Sequence, residues 1–323
     1  MTNSVKPRSP VLKKVWSLVA LVVEVVLLVV DIIKVTAMGQ PILFQSFFRL
    51  VWPKQPKNVT GQLVMITGGA GGLGRELALR FANQGCNIVI VDVNLKSAEQ
   101  TCQEVRRKNV SAYAYKVDVS SYDDVQKLMD TIYREVAPID ILINNAGLIH
   151  FKFLQNSTVE DINQSIDVNV KGYIWTTKIL LEKMKERKRG HIVAISSLSG
   201  VHAFPWAVVY SATKFAVNGF MQAITEQLRL EGYADQIHTT CVCPYYIATR
   251  KDIVDFLQKP RFKLLSTQYT ARNAVEAILR NESFVSVPPM FDLGIKIMYL
   301  FPLRIQQLVR DYVMKECELH SLL

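Results

Sequence analysis

Beyond residue 60 the chain alternates between two hydrophobic periods. Short apolar runs at Leu63–Thr67, Asn87–Asp92, Ala112–Val119, Ile139–Asn144, His191–Ser196, Ile237–Val242 and Phe284–Val287 have the length and β-branched content of buried strands. Between them, amphipathic stretches with helical spacing cover Gly72–Gln84, Ser97–Lys108, Tyr122–Val136, Val159–Arg187, Tyr210–Glu231 and Ala271–Arg280. Such alternation predicts an α/β fold, a doubly wound parallel sheet with helices on both faces. Ligands of these folds sit outside the carboxyl ends of the strands, so polar residues there are the first candidates for function.

The first 57 residues follow another pattern. Val15 to Val30 is nearly all apolar, broken by Glu24 and extended by Asp31-Ile32-Ile33-Lys34. A bilayer span needs roughly 20 apolar residues, which this run barely reaches. An ionised Glu24 would cost a few kcal/mol in hydrocarbon. A secretory signal is disfavoured, because no small-residue cleavage site is evident and Lys34 follows directly. The segment reads as a membrane anchor, whether span, hairpin or in-plane helix, with a buried globular helix as the alternative. Pro41 to Pro53 is aromatic and basic, as interfacial segments tend to be, and Lys54 to Thr60 reads as a linker. The expected organisation is an anchor and interfacial segment over 1–57 and a dinucleotide-binding catalytic domain over 58–283. A last strand and an apolar C-terminal segment follow over 284–323.

Charge reinforces this division. The net charge is +10, and before Gly61 eight basic residues face only Glu24 and Asp31. Because these basic residues flank apolar sequence, they point to anionic lipid headgroups rather than nucleic acid. Half of the residues are hydrophobic, enough for a sizeable core and against disorder. The five cysteines are odd in number and lack a C-x-x-C spacing, so they read as reduced thiols, with neither a disulfide framework nor a metal site.

The candidate chemistry begins at Thr67-Gly68-Gly69-Ala70-Gly71-Gly72-Leu73-Gly74, between the first strand and first helix of the alternating region. Glycines permit close approach of the backbone to a ligand, and a helix start offers unpaired N–H groups to an anion. Asp92 ends the next apolar run, roughly 20 residues on, where a carboxylate can hold a ribose 2′-hydroxyl. Together these features predict a Rossmann-type dinucleotide site. Asp118, after Tyr115-Lys116-Val117, is placed to accept from an adenine amino group or to cap the helix after Ser120-Ser121. Asn144-Asn145-Ala146-Gly147 closes the fourth strand, where small residues let the backbone pass a cofactor, although Asn and Gly also suit a plain turn.

The reactive group is read from Tyr210-Ser211-Ala212-Thr213-Lys214, which puts Tyr210 and Lys214 on one helix face. A phenol has a pKa near 10 in water. A neighbouring ammonium and the positive ring of an oxidised nicotinamide are expected to lower it, so that Tyr210 removes the alcohol proton. Ser197, at the end of the preceding strand, is positioned to hydrogen-bond the substrate oxygen; its plainer role is a strand-end turn.

From Gly61 to about Asn281 the chain resembles the short-chain dehydrogenase/reductase family. Thr67, Gly68, Gly72 and Gly74 meet its T-G-x-x-x-G-x-G motif and Asn144 to Gly147 its N-N-A-G motif. Its catalytic tetrad matches Asn169, Ser197, Tyr210 and Lys214. The resemblance implies a water-linked proton relay from Tyr210 through the cofactor ribose and Lys214 to Asn169. It implies cofactor contacts from Gly68, Gly72, Leu73, Gly74, Asp92, Asp118, Val119, Asn145, Ala146, Gly147, Tyr210, Lys214, Ile247 and Thr249, with Ser197 and Tyr210 touching substrate. Asp92 favours NAD over NADP by repelling a 2′-phosphate. The family usually carries P-G-x-x-x-T after the sixth strand; here Pro244-Tyr245-Tyr246-Ile247-Ala248-Thr249 puts Tyr245 in place of glycine, which leaves the local backbone in question.

Within the family the chain is most similar to a membrane-bound branch of retinol and 17β-hydroxysteroid dehydrogenases. The likeness implies oxidation of a lipid alcohol, retinol first, at the endoplasmic reticulum membrane or lipid droplets, with the catalytic domain facing the cytosol. A 17β-hydroxysteroid substrate, or a low-turnover lipid-droplet scaffold keeping the fold, are the alternatives. Homodimerisation through the stretches Val159–Arg187 and Tyr210–Glu231 is implied as well. Lys251 to Gln268 falls where the fold usually carries a mobile substrate lid, and the apolar stretches from Val287 suit a core, a dimer contact or a membrane face. Five N-x-S/T sequons, at Asn58, Asn109, Asn156, Asn163 and Asn281, are expected to stay unglycosylated in a cytosolic domain.

Overall fold

The computed structural model describes residues 10–249 and 263–314. Cys317, His320 and most of the expected lid, residues 251–262, lie outside the described residues. The chain divides into two compact units, Met1–Gln55 and Pro56–Leu323.

Among the described residues the first unit contains one helix, α1 (Pro10–Val51), with Pro41 inside it. From Val15 to Ile33 its large apolar side chains stand 39% (Val30) to 62% (Leu18) exposed. Glu24 and Asp31 are the only charges in that stretch. Among the described residues, no helix is long and apolar enough to cross a membrane.

In the second unit, β1 (Leu63–Thr67), β2 (Asn87–Asp92), β3 (Ala112–Lys116), β4 (Ile141–Asn144), β5 (Gly190–Ile195), β6 (Ile237–Pro244) and β7 (Phe284–Val287) form one sheet. Its order is β3-β2-β1-β4-β5-β6-β7, and every pairing is parallel. The order reverses between β1 and β4, where a crevice opens at the carboxyl ends.

Side chains along these strands alternate between two cores. Val64, Ile66, Ile88, Ile90, Ile141 and Ile143 face one core. It is shared with α2 (Gly72–Asn83), α3 (Leu95–Arg106) and α8 (Thr267–Leu279). Leu63, Met65, Val89, Val91, Leu142 and Ile192 face the other, against α4 (Tyr122–Glu135), α6 (Gly172–Glu186) and α7 (Val208–Leu230). Burial on both faces explains why the strands read as continuous apolar runs.

The expected single helix over Val159–Arg187 is corrected by the structure. It runs as α5 (Val159–Ile166), a π-helical turn (Asp167–Lys171) and α6. The wider turn contains Asn169, and such bulges concentrate at functional sites. β3 stops at Lys116, short of Val119, because Asp118 folds into a local turn, Oδ1 accepting from Ser120 N at 2.9 Å and Ser120 Oγ at 2.7 Å. Two further helices follow among the described residues, α9 (Phe291–Met298) and α10 (Leu303–Met314).

Candidate active site

Strand β1 delivers the glycine turn to the crevice. Gly68 takes φ +63°, a left-handed conformation that favours glycine. A Cβ on Gly68 would stand 2.8 Å from Ala146 Cα, and one on Gly74 would stand 2.2 Å from Gly68 O. The turn is thus packed backbone to backbone against the Asn145–Ala146 segment. Gly71, extended at the start of α2, places no side chain over the first N–H groups of that helix.

Thr67 locks this arrangement. Its buried Oγ1 accepts from the N–H groups of Asn145 (3.0 Å) and Ala146 (3.1 Å). In return, Asn145 Nδ2 donates to Thr67 O (3.0 Å) and Gly68 O (2.9 Å). Asp92 steadies the turn from the neighbouring strand, Oδ2 accepting from Ala70 N (3.1 Å) and Oδ1 from Asn94 N (3.0 Å).

Two adjoining cavities follow the carboxyl ends of the strands. The larger, about 700 Å³, is lined by Gly68, Asp92, Asp118, Val119 and Ala146, with Glu160 and Asp167. No Lys or Arg lines it among the described residues. The smaller, about 350 Å³, is lined by Gly72, Leu73, Gly74, Ser197, Tyr210, Lys214, Ile247 and Thr249, with apolar walls from Ile149, Phe151, Phe204 and Tyr245. Gly71, Asn145, Gly147 and Leu148 border both. Every site residue named from the sequence therefore lines one or both cavities, except Asn169. That residue is fully buried beside them, its Oδ1 accepting from Leu148 N (2.7 Å) and its Nδ2 donating to Leu148 O (2.8 Å) and Thr213 Oγ1 (3.1 Å).

Helix α7 holds Tyr210 and Lys214 one turn apart. Lys214 Nζ donates to Ile195 O (2.9 Å) and lies 5.5 Å from the Tyr210 ring centroid and 5.2 Å from that of Tyr173. Burial pushes the lysine down to about 8. Burial also pushes the Tyr210 phenol up to about 12, against the opposing effect of its hydrogen bond with Ser197. Desolvation of the charged form is the largest influence on this phenol in the protein alone, ahead of Ser197 and Cys243.

Tyr245 leaves the backbone undistorted. Its N–H donates to Val287 O at 2.7 Å, continuing the β6–β7 ladder, and it is not among the positive-φ residues. Its ring packs edge-on to Tyr246 (5.0 Å) and tilted against Phe291 (5.8 Å).

Sequence reasoning missed Asn218. It follows Lys214 by one helical turn on the same face, so the Tyr210–Lys214 spacing, carried on once more, would have found it. Its Nδ2 donates to Gly200 O (2.8 Å), and its Oδ1 accepts from the thiols of Cys241 (3.2 Å) and Cys243 (3.6 Å). One carboxamide thus ties α7 to the turn after Ser197 and to β6.

The comparisons with known proteins agree with this geometry. The family model described as short chain dehydrogenase matches residues 62–256. The chain is 33% identical over 273 residues to epidermal retinol dehydrogenase 2 of Homo sapiens, covering 84% of this chain and 88% of the relative. It is 32% identical over 263 residues to 17-beta-hydroxysteroid dehydrogenase 13 of Homo sapiens, covering 80% and 86%. A short chain dehydrogenase/reductase from Burkholderia phymatum, solved in complex with NAD, shares the fold with TM-score 0.67 at 22% identity, over 75% of this chain and 94% of that one.

Proposed function

The chain belongs to the short chain dehydrogenase family, and from that premise we propose a membrane-associated, NAD-dependent oxidoreductase that converts a lipid alcohol to its carbonyl. Retinol is the first candidate substrate. One observation carries the reading. Ser197, Tyr210 and Lys214 converge on one apolar-walled cavity that adjoins a cleft suited to a dinucleotide.

The residues present fit that cofactor. The crowded Gly68 and Gly74 positions exclude any side chain from the turn, and the uncapped start of α2 suits a pyrophosphate. Asp92, Asp118, Glu160 and Asp167 around the larger cavity suit a ribose diol and disfavour a 2′-phosphate, so NAD is preferred to NADP. When bound, NAD supplies the hydride acceptor and a positive ring charge. Ser197 holds the alcohol oxygen, and Tyr210 takes its proton as general base. Lys214, anchored on Ile195 O, steadies the phenol and its charge. Asn169 fixes the Leu148 backbone at the border of both cavities.

Membrane association is supported by the exposed apolar side chains of α1 and the basic residues flanking them. Assignment to the endoplasmic reticulum membrane or lipid droplets rests on the branch resemblance, and a cytosolic catalytic unit predicts no endoglycosidase-sensitive mass shift. Exposed Val159 and Ile166 on α5 and Phe215 and Leu230 on α7 support homodimer formation. The relative named as a 17-beta-hydroxysteroid dehydrogenase favours a steroid as the second candidate.

The test measures NAD and NADP reduction by purified membranes carrying the full chain, across retinol, steroid and aliphatic alcohols. Tyr210→Phe should lower turnover by about 10²–10⁴. A cellular effect that survives this substitution would instead identify a scaffold.

A further inference from the structure

A third cavity, about 370 Å³, lies against the far side of the substrate wall. Leu198, Phe204 and Tyr245 line both it and the catalytic cavity, so the two cavities adjoin at these three side chains. The remaining lining comes mainly from α9, its preceding residue Met290, and α10. Ile295 and Met298 supply apolar wall, Gly294 leaves a gap, and His202 and Arg310 add two polar side chains. His202 Nδ1 is engaged by Tyr299 OH at 3.1 Å.

Gly294 is informative. A Cβ built there meets nothing within 4 Å, and its φ is not positive, so neither turn geometry nor close packing requires glycine. Its smallness leaves the compartment open. With most of its wall apolar and only His202 and Arg310 polar, the cavity suits hydrocarbon better than ordered water.

Resting on the proposed alcohol dehydrogenase reading, we propose that this compartment is a tail subsite. It takes the distal hydrocarbon of a substrate whose hydroxyl lies at Tyr210 and Ser197, and Tyr245 and Phe204 are the specificity-determining wall between head and tail. The substrate class is an alcohol with an extended apolar chain, longer than the catalytic cavity can hold.

The experiment uses the full-length protein in detergent micelles, with NADH formation followed across a homologous series of straight-chain secondary alcohols. In the wild type, kcat/KM rises with chain length once the tail enters the second compartment, by up to about fourfold per methylene. Gly294→Phe fills the compartment, and the ratio of long-chain to short-chain kcat/KM falls at least tenfold. Met298→Ala enlarges it and moves the preferred length upward, a gain that a misfolded variant would not show. Turnover without chain-length dependence, or an unchanged ratio in both variants, overturns the subsite and leaves the enzyme reading intact. Absence of turnover with any alcohol overturns both.

Discussion

Replacing Thr67 with valine keeps shape and β-propensity but removes the hydroxyl to which two backbone N–H groups are anchored. Those of Asn145 and Ala146 donate to Thr67 Oγ1 at 3.0 and 3.1 Å. A buried donor left without a partner costs about 1–3 kcal/mol. Asn145 and Ala146 are half-buried, so the lower part of that range applies to each. The expected loss is about 2–3 kcal/mol for the pair, or about 5–10 °C in melting temperature. Thr67→Ser restores the acceptor at the loss of one buried methyl, about 1 kcal/mol, and should leave NADH affinity unchanged. Urea unfolding followed by circular dichroism reads the stability, and NADH fluorescence titration reads the cleft. Both should suffer together in the valine variant, because the same hydrogen bonds hold Ala146 against Gly68. A valine variant within 0.5 kcal/mol of the wild type, with unchanged NADH affinity, would refute the assigned role of this hydroxyl.

Three other outcomes follow from the geometry. Asp92→Ser removes the carboxylate from the cleft, and the NAD to NADP preference in kcat/KM should relax by about tenfold or more, equivalent to 1.4 kcal/mol; an unchanged preference would place discrimination elsewhere. His191 is fully buried, and burial, then Lys57 and His238, hold it well below its usual range. Its Nε2 faces Thr240 Oγ1 (2.9 Å), which itself donates to Glu282 O (2.6 Å), so Nε2 carries the proton and Nδ1 accepts from Lys57 Nζ at 2.7 Å. Above pH 6.5 both folded and unfolded states keep this ring neutral. Below it the unfolded chain binds a proton that the folded chain refuses, so stability falls by up to about 1.4 kcal/mol per pH unit. His191→Gln should flatten the stability curve between about pH 6.5 and 5, and parallel curves would reject the assignment. Asn218→Ala should lower kcat more than it raises KM, since the residue touches the Ser197 turn through Gly200 and not the cavity; a pure KM effect would contradict this.

Much of the fold was legible because strands buried on both faces leave unmistakable apolar runs, and their carboxyl ends carried the small and polar residues later found lining the cleft. The seven strands and the strand-end residues Gly68, Asp92, Asp118 and Asn145 were readable in this way, whereas Asn169, Ile247 and Thr249 came only with the family resemblance. Less legible was whatever depends on a partner distant in sequence. Nothing local to Thr67 says that its hydroxyl serves Asn145 and Ala146. Lys57 reads as linker until Nζ is seen on His191 and its N–H on Leu279 O at 2.8 Å. The π-helical turn at Asp167–Lys171 contains no Gly or Pro to mark it, so the sequence reads straight through it. The Tyr210 phenol illustrates another limit. Sequence spacing brings the lysine near, but the degree of burial, which sets the sign of the shift, is a property of the assembled site.

The uninterrupted ladder at Tyr245 has a consequence for how such a catalyst can diversify. Its main chain is secured by Val287, independent of what the side chain does, so the boundary at this position can be rebuilt without disturbing Tyr210 and Lys214 on α7. On the proposed mechanism, selectivity and reactivity are carried by separable parts of the molecule. New substrates can be explored by exchanging the ring at 245 and the residues of the two terminal helices, while the chemistry is inherited unchanged.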